Sequence, residues 1–134
     1  MRIGITEIFV DDQARARTFY AQVLGLRVKT GVPYSETAHW LTMVSPEDPD
    51  GTELLLSPAS EPATALQESR RAAGSPAISF VTDDCWHTYE ELRARGAVFV
   101  AEPRQMGYGG TDAVFDDNCG NLLNLHQEAG GMAR

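Results

Sequence analysis

The chain has 134 residues, 43% of them apolar and 22% charged, enough for one domain with its own core and too few for two ordinary independent ones. A net charge of −8 and a pI near 4.7 argue against a nucleic-acid partner, because the phosphate backbone would be repelled and the basic residues are not segregated. No apolar run approaches the ~20 residues that cross a bilayer and no signal-like region opens the chain, so a soluble, cytoplasmic protein with no membrane partner is expected.

In chain order, residues 3–10 read as a strand with Ile5, Glu7 and Phe9 on one face and Thr6, Ile8 and Val10 on the other. Asp11-Asp12 supplies an N-cap. A helix follows to Leu24, with Ala16, Phe19, Tyr20, Val23 and Leu24 on one apolar stripe, and Gly25 stops it. A short strand over 26–31 precedes a Pro33-containing loop over 32–37. Strands over 39–45 and 52–57 flank a turn over 46–51. Residues 58–75, rich in Ala, Pro, Ser and Glu, form a link in which Pro62 can open a short helix and Gly74 close it.

The order then repeats: a strand over 77–82, Asp83-Asp84 as cap, a helix through Arg95 with Cys85, Tyr89 and Leu92 inward, and Gly96 as stop. Strands over 97–100, 111–115 and 121–127 complete it, and residues 103–110, with Gly107-Tyr108-Gly109-Gly110, read as a loop able to cover a site. Two further stretches repeat each other. Asp48-Pro49-Asp50-Gly51 and Asp117-Asn118-Cys119-Gly120 are each a turn ending in Gly, where positive φ is tolerated, followed by an apolar strand. The predicted organisation is a single 1–134 domain with module one at 3–57, the link at 58–75 and module two at 76–127. Cys85 and Cys119 are far apart and lack CxxC spacing, so they are expected as free thiols.

The Val10-Asp11-Asp12 turn, the Phe19-Tyr20-x-x-Val23-Leu24-Gly25 and Glu90-Glu91-Leu92-Arg93-Ala94-Arg95-Gly96 helix ends, Asp48-Pro49-Asp50-Gly51 and Asp117-x-x-Gly120-Asn121 together resemble the glyoxalase, bleomycin-resistance and extradiol-dioxygenase superfamily, the vicinal oxygen chelate proteins. The resemblance implies an α+β fold of two tandem βαβββ modules, each curling its mixed sheet into half of a cup that holds the ligand. It also implies a divalent metal held by His or Gln on the first strand of each module and by Glu on the strand after each Gly turn. Here the matching positions are Ile5, Ala77 (or Pro76), Leu55 and Asn124. None is a usual ligand, and a lone amide holds no divalent ion, so no metal and no cofactor are expected.

His39, Glu53 and His126 are the alternative donors, more simply read as rim residues. No P-loop, dinucleotide fingerprint or nucleophile elbow is present. Glu7, Phe9, Trp40, Glu53, Leu55, Leu122 and Asn124 are the candidate ligand-binding residues: carboxylates for a cation or as a base, aromatic and aliphatic walls for a flat ligand. No catalytic residue is assigned. The resemblance favours a metal-independent small-molecule binder, a homodimer, sequestering an aromatic or cationic compound. The other readings are a lactoylglutathione-lyase-like lyase or isomerase or a dioxygenase, with non-standard ligands or a glutamate base, and a structural dimer without ligand.

Overall fold

A computed structural model describes residues 1–130, so residues 131–134 of the expected domain lie outside the described part. Its chain order is β1 (Ile5–Val10), α1 (Gln13–Thr18), β2 (Arg27–Pro33), β3 (His39–Val44), β4 (Glu53–Pro58), α2 (Glu61–Ala73), β5 (Ile78–Val81), α3 (Cys85–Ala94), β6 (Val98–Gln105), β7 (Thr111–Asp116) and β8 (Leu122–Gln127). The fold is α+β, with two four-stranded mixed sheets in the same order, β1-β4-β3-β2 and β5-β8-β7-β6. In each, the first strand pairs parallel to the last and the other pairs are antiparallel. Two tandem βαβββ modules are therefore present.

The chain divides into two compact units: unit 1 is 1–69 with 118–120, and unit 2 is 70–117 with 121–134, of which 121–130 are described. Their boundary falls inside α2, where the sequence suggests a link. That link is thirteen residues of helix, opened by Glu61-Pro62 and ended by Gly74 at φ +68°.

In unit 1, alternation puts Ile8 and Val10 of β1, Leu54 and Leu56 of β4, and Leu41 and Met43 of β3 on one buried face. Ala16, Phe19 and Tyr20 are buried with them. Each large side chain so buried contributes roughly 1.5–3 kcal/mol before chain entropy is set against it. Asp12 caps α1 by accepting from the Arg15 amide at 3.0 Å. The helix does not run evenly to Leu24: Phe19–Val23 is a π-helical turn.

In unit 2, α3 buries Cys85, Tyr89 and Leu92 as the spacing predicts. Tyr89 meets Phe99 edge-on at 4.6 Å, and Phe99 lies 5.1 Å from Phe115. The α3 cap is Asp84, which accepts from the His87 amide at 3.0 Å. Counted from these two caps the modules differ by one residue: thirteen positions separate Asp12 from Gly25, but twelve separate Asp84 from Gly96. The π turn absorbs the extra residue in unit 1. Two predicted loops are also shorter than expected, since Val32 and Pro33 belong to β2 and Pro103–Gln105 to β6.

Candidate functional site

The unit 1 sheet carries a second face, opposite its buried one. Parallel register sets Ile5 beside Glu53, Glu7 beside Leu55 and Phe9 beside Ser57. Antiparallel register sets Thr42 beside Leu55, and alternation along β3 puts Trp40 on that face too. Glu7, Phe9, Trp40, Glu53 and Leu55 thus share one layer, with Trp40 44% and Ile5 48% exposed.

The carboxylates in this layer are held. Glu7 Oε2 accepts from Ser57 Oγ at 2.5 Å, and Glu53 Oε2 lies 3.8 Å from Lys29 Nζ. Leu55 is buried. Beside it the Thr42 hydroxyl is buried with no hydrogen-bond partner among the described residues. His39 falls on the opposite face by the same alternation. Its backbone is gripped by Gln13, whose Nε2 donates to His39 O at 2.8 Å while Oε1 accepts from His39 N at 3.0 Å.

The unit 2 sheet holds a cleft of about 660 Å³, lined by Ser79, Arg104, Met106, Asp112, Val114 and Asn124 among others. Asn124 Nδ2 donates to Ser79 Oγ at 3.1 Å. Leu122 is buried and is not part of the lining. Asp112 and His126 are register partners, with Asp112 Oδ1 2.6 Å from His126 Nδ1. Tyr108 Oη lies 3.2 Å from the same nitrogen. Tyr108 is 59% exposed, and its pKa is raised by lost hydration and by its hydrogen bond to Asp112 and that carboxylate's charge, of which the Asp112 contact is the cause consistent with an exposed ring.

Sequence reasoning places Tyr108 in a loop able to cover a site and does not single out Asp112. Hairpin counting is the signal that finds the pair, because Asp112 lies four residues before Asp116, His126 lies four after Leu122, and Asp116 pairs with Leu122. His39 and Glu53 lie in unit 1 and His126 lies in unit 2. Among the described residues, no three His, Cys, Asp or Glu side chains group in a way that could hold a metal ion.

At the positions where the resemblance implies metal ligands, Asp84 as the true cap selects Ala77 over Pro76. Ala77 offers only its backbone there, its amide donating to Leu122 O at 2.8 Å. Ile5 and Leu55 have no donor atom in their side chains, and the Asn124 amide is engaged with Ser79. This set does not fit a divalent ion.

Cys85 and Cys119 are both free and buried. The Cys85 thiol has its pKa pushed up to about 11, by burial first and then by the charges of Asp112 and Asp84, which leaves it unreactive. Among the described residues, no helix is long and apolar enough to cross a membrane.

Residues 2–125 match the family model described as the glyoxalase/bleomycin resistance protein/dioxygenase superfamily. The chain is 44% identical over 129 residues to the uncharacterized protein YurT of Bacillus subtilis (strain 168), covering 96% of this chain and 100% of that one. It is 30% identical over 126 residues to YetH of the same organism, covering 94% and 98%. Among solved structures it is similar to UcmS2, with a TM-score of 0.79 and 29% identity over 94% of this chain and 97% of the other. It also shares the fold of TnmS3, an antibiotic binding protein from Streptomyces sp. CB03234, with a TM-score of 0.75 and 22% identity over 96% and 97%.

Proposed function

The chain belongs to the glyoxalase/bleomycin resistance protein/dioxygenase superfamily, and from that premise we propose that it is a metal-independent small-molecule-binding protein that sequesters an aromatic or cationic compound. One observation carries this reading. Where the superfamily resemblance implies a metal-binding carboxylate, the unit 1 sheet has Leu55, surrounded on the same face by Phe9, Trp40, Glu7 and Glu53. Flat apolar ligands stack on such aromatic residues, and the two carboxylates complement a positive charge. The description of TnmS3 as an antibiotic binding protein supports the same class of role.

The reading places the protein in the cytoplasm as a homodimer. Ile3, Val32 and Tyr34, all more than half exposed in unit 1, supply apolar surface for a second copy, and sedimentation of the purified protein tests this.

The binding test uses tryptophan fluorescence. Trp86→Phe leaves Trp40 as the sole tryptophan, and titration with ethidium or bleomycin should quench it saturably. Glu7→Gln with Glu53→Gln should weaken ethidium binding by about tenfold, the scale of one charge-assisted contact. Absence of saturable quenching by either probe, or a tightly held stoichiometric divalent ion in the purified protein, overturns the reading.

A further inference from the structure

Arg104, Asp112 and His126 follow one another at one level across β6, β7 and β8, each paired in register with the next. Asp112 and Arg104 line the 660 Å³ cleft, and His126 stands two residues from Asn124, on the same face as that lining residue. The opposite face of this sheet carries the buried Ala113, Phe115, Leu123 and Leu125. The ionisable residues are therefore on the face that lines the cleft, not on the core side.

The hydrogen-bond chemistry fixes the imidazole. A carboxylate only accepts, so at 2.6 Å the His126 Nδ1 must carry the proton. Tyr108 then cannot donate to that nitrogen, and its hydroxyl proton goes to Asp112, the partner that helps keep the phenol protonated. Asp112 accepts from both, and in the neutral imidazole this tautomer carries its lone pair on Nε2. The imidazole side chain is 23% and the carboxylate 19% exposed, so water screens the pair only partly. Cys85, at the start of α3, is coupled through charge to Asp112 and to Tyr108, and Asp84 is coupled to Cys85, while Glu102 is a further carboxylate lining the cleft. β5 contributes the apolar Val81 opposite His126.

We propose that Asp112, His126 and Tyr108 form a proton-accepting ligand site at the rim of the unit 2 cleft, which captures a weakly acidic aromatic hydroxyl compound as its anion. The O–H proton of the ligand passes to His126 Nε2, the O–H bonding pair stays on the oxygen, and the resulting imidazolium is held by Asp112. The phenolate is neutralised by that imidazolium and by Arg104. No oxidant, reductant or second reactant is needed. The inference rests on the small-molecule-binding reading and names a ligand class for this cleft.

The glycine-rich turn holds Tyr108 in place. Met106 N donates to Gly110 O at 2.7 Å and Gly109 N to Met106 O at 2.9 Å. A Cβ at Gly110 would lie 2.6 Å from the Tyr108 ring and 2.8 Å from Gln127 O, so only glycine lets the tyrosine lie over the histidine.

The probes are 4-nitrophenol, whose anion absorbs at longer wavelength than its neutral form, and 4-nitroanisole, which has no proton to give. Titrated below the phenol's own ionisation, the protein should bind 4-nitrophenol and raise the anion band. His126→Gln should abolish that band and weaken 4-nitrophenol binding by about tenfold, the loss of one charge-assisted hydrogen bond, with 4-nitroanisole affinity unchanged. Asp112→Asn, which keeps the shape and removes the charge, should reduce the anion band even where His126→Gln folds poorly. Binding of both probes with no anion band, or a band unchanged in both variants, overturns this inference and leaves the binding reading standing. Failure of 4-nitroanisole and of the unit 1 probes to bind overturns the binding reading itself, and the inference with it.

Discussion

The two Gly-ended turns share a sequence pattern and a place in the topology, yet they are held by different physics. In the first, Gly51 N donates to Asp48 O at 3.0 Å, and Gly51 has no positive φ. What a side chain there would meet is the movable carboxylate of Asp48. In the second, Gly120 sits at φ +101° and Asn118 at φ +62°. Asp117, fully buried, accepts from Asn121 N at 3.0 Å and from Asn121 Nδ2 at 2.8 Å. Gln67 donates to Phe9 O at 2.8 Å and stands 2.9 Å from where a Gly120 Cβ would be. A shared motif thus fixes the order of strands without fixing how each turn is stabilised. The surface turn can drift in sequence, whereas the buried one is specified atom by atom.

Substitution of the acidic residues separates the turns most sharply. Asp117→Ala removes the acceptor of two buried Asn121 donors and should cost about 2–4 kcal/mol, read as a lower denaturant midpoint at unchanged slope. Asp48→Ala, at an exposed position, should stay within about 0.5 kcal/mol. Equal losses would show the two turns to be equivalent after all. The glycines come next. Gly120→Ala meets both an unfavourable φ and the Gln67 side chain and should cost about 1–3 kcal/mol. Gly51→Ala needs only the Asp48 carboxylate to swing aside and should lie within about 0.5 kcal/mol of wild type.

This contrast also explains what the sequence made legible. Period-2 and period-3.6 apolar patterns exposed the elements, because they are burial patterns that each sheet imposes on its own strands. The modular repeat identified the topology, and the residues at 5, 55, 77 and 124 told against the expected metal donors. The π turn at Phe19–Val23 is hidden in the sequence, since one inserted residue in a helix leaves no compositional trace and the Asp83-Asp84 pair offers two positions from which to count the second helix. Trp40 could not be given a face until the register of β3 against β4 was known. Asp112 and His126 lie fourteen residues apart, and only antiparallel pairing makes them neighbours.

The helix caps offer a smaller test of the repeat. Asp12→Ala and Asp84→Ala should each cost about 1 kcal/mol, because each removes an acceptor for a first-turn amide. Asp83→Ala should cost little, which would confirm that the modules align on Asp12 and Asp84. A larger loss at Asp83 than at Asp84 would restore the thirteen-residue spacing and remove the account of the π turn.

The smallest effect appears only in alkali, and it belongs to unit 2. An unfolded cysteine ionises near 9, whereas the buried Cys85 thiol ionises near 11. Between those values the unfolded chain has lost a proton that the native protein keeps, so stability falls as pH rises through that window and is unaffected below it. Cys85→Ala should therefore flatten the decline through that window. Denaturant titrations at pH 8, 9, 10 and 11 would measure it. A wild-type midpoint that stays flat from pH 9 to 11 would mean that the thiol is not held in a poorly hydrated site beside Asp112, and would weaken the electrostatic picture on which the neighbouring His126 site depends.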